Sequence, residues 1–112
     1  MSDCLFCRIV AGEVPATVVA QTDRTLAFRD VAPQAPIHVL VVPREHHADA
    51  AACADADPAL LGELLAAAAD VARAEGLTAG YRLLTNTGPD AGQTVHHLHV
   101  HVLGGRPLSG LG

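Results

Sequence analysis

The stretch TVHHLHVHVLGG, Thr94 to Gly105, decides what kind of sheet this chain builds. It holds four of the seven histidines within six residues, and His97, His99 and His101 alternate with Leu98, Val100 and Val102. Strand side chains point alternately to opposite faces. The spacing therefore predicts a strand whose apolar side enters a core and whose other face carries three imidazoles, about 7 Å apart along the backbone. His96 falls on the apolar side near the strand's start.

Upstream, the stretch GYRLLTN, Gly80 to Asn86, reads as a second strand, joined to the first through the turn-rich TGPDAG, Thr87 to Gly92. Before it lies DPALLGELLAAAADVARAEG. Asp57 suits a helix N-cap, Pro58 the first helical position and Gly76 the C-terminal stop. Leu60, Leu61, Leu64, Leu65, Ala68, Val71 and Ala72 form its apolar stripe, against only Glu63, Asp70, Arg73 and Glu75 as charged side chains. A helix this apolar is expected to be covered on more than one side, with a second subunit as the cover. PQAPIHVLVVPREHH predicts a strand between Pro36 and Pro43, with His38, Leu40 and Val42 on one face. TVVAQT and TLAFRD predict a hairpin turning at Thr22–Asp23–Arg24, and LFCRIVAG one or two helical turns. Cys53, in the alanine-rich HADAAACADAD, reads as packing. The order strand, strand, strand, helix, strand, strand lacks repeated helical crossovers. It predicts an α+β fold with an antiparallel sheet, as one domain over residues 1–112.

Half of the residues are apolar, and the charged fraction is too low for a disordered chain. The net charge is −5 with neutral histidines, and there are no lysines. That argues against a nucleic-acid binder, which needs a basic face, yet leaves room for one small anion held by imidazoles and backbone N–H groups. No apolar run approaches the roughly 18–20 residues of a membrane span. The N-terminal MSDCLFCRIVAGEVP lacks the pattern of a secretory signal. A cytoplasmic protein with thiols at Cys4, Cys7 and Cys53 is the expectation.

Three readings of the imidazoles compete. They can form a polar strand face without chemistry. They can bind a catalytic metal, since His-x-His on a strand chelates zinc when a third ligand joins. Or one can act as a nucleophile, because an imidazole is largely uncharged near neutral pH. A nucleophile needs its second ring nitrogen held by an acceptor and needs donors around the anion it attacks. The loop before the strand offers Asn86, Gln93 and Thr94 as donors, and Gly88 and Gly92 for close backbone approach. Asp90 is the one nearby carboxylate. This favours the nucleophile.

The run HLHVHVL, His97 to Leu103, resembles the His-φ-His-φ-His-φ-φ signature of the histidine-triad superfamily, φ being apolar. LAFRDVAPQAPIHVLVVPREH, GYRLLTNTGPDAGQTVHHLHVHVLGGR and CLFCRIVAGEVPA extend the resemblance to the Hint branch, the histidine-triad nucleotide-binding proteins. The resemblance implies a five-stranded antiparallel sheet with one long and one short helix, dimerised through the long helix. It implies hydrolysis of purine nucleoside phosphoramidates or acyl-adenylates, with His99 attacking the α-phosphorus to form a nucleotidyl-histidine that water cleaves. His101 would then bond phosphate oxygens and help the leaving group, and His38 would back the triad. Asn86, Gly92, Gln93 and Thr94 would cradle phosphate, Asp30 would receive the ribose hydroxyls, and Phe28 and Val31 would line the base pocket. The chain departs from the family in having His96 where an aromatic is common, and in a tail, RPLSGLG, without an aromatic.

Cys4 and Cys7 have the spacing of half a zinc site. Resemblance to some bacterial members implies a structural Zn²⁺ on Cys4, Cys7, His46 and His97, with His47 an alternative to His46 and a metal-free thiol pair the other outcome. Two further functions stay open beside the hydrolase: a metal-dependent hydrolase with His97, His99 and His101 as ligands, and a nucleotide-binding regulatory module with incidental catalysis.

Overall fold

A computed structural model describes residues 3–111. Its five strands are β1 (Val18–Gln21), β2 (Thr25–Arg29), β3 (Ile37–Pro43), β4 (Tyr81–Leu84) and β5 (Val100–Gly104), all paired antiparallel in the order β1-β2-β3-β5-β4. The helices are α1 (Leu5–Val10), α2 (Ala50–Ala56) and α3 (Pro58–Ala74). The expected α+β antiparallel sheet is thus the observed one. The β1–β2 hairpin turns where expected, with the Thr22 N–H donating to the Thr25 carbonyl at 2.9 Å and the two threonine hydroxyls 2.8 Å apart.

Residues opposite each other in antiparallel strands share a face, so two registers define the two sides of the sheet. Ala27, Val41 and Val100 line up, as do Val39 and Val102. Together with Leu98 and Cys53 they pack against Leu60, Leu64, Ala68, Val71 and Ala72 of α3, all buried. Two members of the expected α3 stripe stand apart: Leu61 is half-buried and Leu65 is 45% exposed. α3 is capped as its sequence suggests, the Asp57 carboxylate accepting from the Leu60 N–H. Arg24 pairs with that carboxylate at 2.6 Å and holds it below the usual carboxylate range.

On the opposite side Phe28, Leu40 and His101 form one row across β2, β3 and β5. Phe6 of α1 covers Leu26, Phe28, Leu40 and Val42 there. Burying such a ring stabilises by roughly 1.5–3 kcal/mol, enough to hold a six-residue helix on the sheet. The functional side of the sheet therefore has a small apolar floor of its own.

The structure adds one helix to the expected pair. α2 starts at Asp49, whose carboxylate accepts from the Ala52 N–H. Its alanines have high helix propensity but no apolar periodicity, and only Cys53 is buried among them. The last strand is also shorter than expected. Its ladder begins at Val100, paired with Val41, so His97 and His99 precede the regular strand. At its far end lies Gly105, at φ +97°, where an added Cβ would stand 2.9 Å from Pro36 Cβ.

Candidate active site

The three triad imidazoles do not form one row facing solvent. His97 is fully buried and His99 is 8% exposed, while His101 is half-buried. His97 keeps the face expected from alternation, the one that α1 covers, and its ring meets Phe6 and His46 there. His99 and His101 remain neighbours, with ring centroids 5.0 Å apart. The Phe6 ring meets His99 edge-on at 5.1 Å and His97 at 5.9 Å. Among the described residues the ligand atoms that gather are those of His97 with Cys4, Cys7 and His46, and of His101 with Asp30 and His38, so the three triad imidazoles do not form one set.

Backbone groups decide which nitrogen of each ring carries the proton. His99 Nδ1 lies 2.7 Å from the His97 carbonyl oxygen. A carbonyl can only accept, so His99 donates from Nδ1 and its Nε2 keeps a lone pair. The Gln34 N–H can only donate, and it meets His38 Nδ1 at 3.0 Å. His38 is therefore protonated on Nε2, which donates to His101 Nδ1 at 2.9 Å. His101 must then carry its proton on Nε2, a buried atom with no hydrogen-bond partner among the described residues. One imidazole thus offers a lone pair and its neighbour an unused N–H. Burial, with the neighbouring His99 and His38, pushes His101 down to about 4, and burial also lowers His38, so both rings are neutral at neutral pH.

His99 and His101 open into a cavity of about 750 Å³. Phe28, Asp30, Val31 and Thr94 line it as well, with Leu5, Phe6 and Ile9 of α1 along one wall. Asp30 sits with a carboxylate oxygen 3.4 Å from His38 Nε2, while its other oxygen accepts from the Ala32 N–H. Val31 is 99% exposed at the rim. Leu5, Ile9 and Val14 escaped the reading of the sequence, because nothing in a short apolar helix says which strand face it will cover.

Asn86, Gly92 and Gln93 are not among the lining residues. Gln93 is buried, and its amide is spent on backbone. It donates to the carbonyls of Ala48 and Val95 and accepts from the Gly88 N–H. Its place is that of a brace between loops, whereas Thr94 is the member of the expected phosphate cradle that does line the cavity.

Beside the cavity, Cys4, Cys7, His46 and His97 bring four ligand atoms within 4.8 Å of one another. Cys4 Sγ–His97 Nδ1, Cys7 Sγ–His46 Nδ1 and Cys7 Sγ–His97 Nδ1 are 3.4, 3.4 and 3.5 Å, and the two Nδ1 atoms are 3.1 Å apart. A tetrahedral zinc ion with ordinary bond lengths would give sulfur–nitrogen edges of about 3.5 Å and a nitrogen–nitrogen edge of about 3.3 Å. The donor set fits such an ion. His97 is prepared for it, since its Nε2–H donates to the Pro43 carbonyl at 2.9 Å and leaves Nδ1 bare. His47 is excluded from the set, its Nε2 pairing with Glu45 at 2.7 Å.

The model of the HIT domain family matches residues 11–108. An uncharacterized HIT-like protein of Synechococcus elongatus is 51% identical over 107 residues, covering 96% of this chain and 94% of that one. The structure of a HIT family hydrolase from Clostridium thermocellum superposes with a TM-score of 0.93 at 40% identity, over 99% of this chain and 97% of that one. The histidine triad nucleotide-binding protein from Candida albicans superposes with a TM-score of 0.82 at 30% identity, over 98% and 87% of the two chains. The family match spans the sheet, α3 and the paired imidazoles alike, and the chain belongs to the HIT domain family.

Proposed function

We propose that this chain hydrolyses purine nucleoside phosphoramidates and acyl-adenylates through a covalent nucleotidyl-His99. The carrying observation is the His99 Nδ1–H bond to the His97 carbonyl, which leaves Nε2 bare on a ring that lines the cavity. In the first step Nε2 bonds to the α-phosphorus and the P–N or P–O bond to the leaving group breaks. A carboxylate departs as such, and an amine takes a proton from solvent. Water then cleaves the N–P bond, releases the nucleoside monophosphate and restores His99. Charge gathering on the phosphoryl oxygens is met by the His101 Nε2–H, a donor with no hydrogen-bond partner among the described residues. Asp30 would accept from the ribose hydroxyls, and Phe28, Val31 and the apolar α1 wall would hold the base. Thr94 would contact phosphate. Asn86 and Gly92, with Gln93 as brace, would shape the loop behind it. The names of the Clostridium and Candida neighbours, a hydrolase and a nucleotide-binding protein, support both halves of the reading.

The test is mass spectrometry of protein quenched during turnover of an adenosine phosphoramidate. A nucleotidyl mass on the peptide bearing His99 is expected. An adduct on another residue, or turnover without an adduct, would overturn the mechanism. Nucleotide binding with neither adduct nor turnover would favour a binding module.

The reading includes a structural Zn²⁺ on Cys4, Cys7, His46 and His97. A closed set of two thiolates and two imidazoles would make the ion a cross-link between α1, the loop at residue 46 and the start of β5, with no open position for water. The reading also includes a homodimer covering α3. Leu65 is exposed on that helix and Tyr81 is exposed on edge strand β4. Sedimentation equilibrium is expected to return twice the 11.5 kDa chain mass, and Leu65→Glu to shift it toward monomer.

A further inference from the structure

We propose that the cysteine–histidine centre is a lock on the nucleophile: a divalent metal on Cys4, Cys7, His46 and His97 fixes the His97 carbonyl, and through it the ring of His99. The inference rests on the reading of His99 as nucleophile and of the four donors as a metal centre.

The ladder of β5 starts at Val100, so no strand pairing holds the backbone of His97. Yet the His97 carbonyl is what keeps the His99 ring in its attacking form, at 2.7 Å. Three tethers hold His97 instead. Its Nε2–H donates to the Pro43 carbonyl at 2.9 Å. The N–H of the next residue, Leu98, donates to the His47 carbonyl at 2.7 Å. Its Nδ1 faces Cys4, Cys7 and His46. Two of these tethers run to the metal centre or to the neighbour of a ligand.

Phe6 adds a second link. It lies between Cys4 and Cys7 on α1, and its ring meets both His97 and His99. The ring that abuts the nucleophile therefore sits on the segment that the two thiols tie down. Without a cation these tethers loosen together. His97 Nδ1 has no proton to give, because that proton is on Nε2, and it stands 3.1 Å from another imidazole nitrogen. The thiols are weak donors. A cation satisfies all four atoms at once and couples their order to the fold. The positioning residues on this account are Cys4, Cys7, His46 and Phe6, none of which touches the reacting phosphorus.

The experiment uses the full chain with ¹⁵N-labelled histidine, metal-free after chelation and then titrated with Zn²⁺. A parallel titration with Co²⁺ reads thiolate-to-cobalt charge-transfer absorption. With zinc, His99 is expected to show one protonated Nδ1 and one bare Nε2. Without it, both ring nitrogens should move toward the averaged shifts of a free imidazole. His46 is exposed, so His46→Ala removes a ligand without opening the core, and the metal-free parent serves as a second unlocked form should that variant misfold. His46→Ala should keep the averaged pattern at any zinc level and lose about 10- to 100-fold in kcat/KM. His46→Cys, which restores a donor, should recover both. Identical His99 shifts with and without zinc would overturn the lock, as would the absence of a thiolate band with Co²⁺. If zinc fixes the His99 ring but no nucleoside phosphoramidate is turned over, the lock stands and the proposed hydrolase falls.

Discussion

Replacing His99 by alanine is expected to abolish turnover of a nucleoside phosphoramidate while leaving a folded protein. The variant keeps the cavity, Asp30 and His101, but has no nitrogen to bond phosphorus. A loss of at least about 10³-fold in single-turnover rate follows when a covalent nucleophile is removed. The variant is not cost-free. The structure buries His99 to 8% exposure with its edge on Phe6. Truncation should cost roughly 1–2 kcal/mol in a urea melt. Val100→Ala gives the contrast. Val100 is 1% exposed in the core beneath α3, so it should lose about 1–3 kcal/mol of stability while its folded fraction keeps its rate. His99→Ala retaining a tenth of the parent rate would remove His99 from the chemistry.

The second large effect is acid sensitivity between pH 6.5 and 4. His101 titrates at about 4 in the folded chain against 6.5 unfolded. Between these values the unfolded chain binds the extra proton, so stability rises with pH across the window and is fully present above about 6.5. The shift corresponds to a loss on the order of 3 kcal/mol once the pH falls below about 4. The groups facing His101 are His38, His99 and Asp30. His38 is lowered as well and acts in the same direction, and Asp30 opposes both by favouring the protonated rings. Urea midpoints measured across this range should fall steeply for the parent and less for His101→Gln, which cannot titrate. Parallel slopes for the two proteins would place the acid sensitivity elsewhere.

Periodicity made the sheet and α3 legible, because strand alternation and an apolar stripe with caps are both local signals. His38 was tied to the triad only by the family resemblance, since periodicity within one strand does not relate its faces to those of another. The contact of His38 with His101 required the β3–β5 register, in which Leu40 lies opposite His101. α2 was hidden because alanine is a good helix former that leaves no amphipathic trace, and Asp49 as its cap was the available signal. Alternation placed His97 on the right face but could not give its surroundings, for a physical reason: the ring's attachments, to Pro43 and to the cysteine side, lie far away along the chain. Gln93 was misplaced for a related one. A polar side chain beside a glycine-rich loop suits an anion, but here the backbone of the loops takes every bond of its amide.

Both imidazoles of the reacting pair take their proton positions from peptide groups, the His97 carbonyl directly and the Gln34 N–H through His38. A peptide group cannot be mutated away, save by proline at position 34, which would remove that donor. The side chains of residues 34 and 97 are thus free to serve other ends, and position 97 does so as a ligand of the neighbouring centre. Sequence drift around the pair can reshape the cavity and its preferences while the chemistry of the pair persists. A scaffold of this kind can change substrates without having to reinvent its nucleophile.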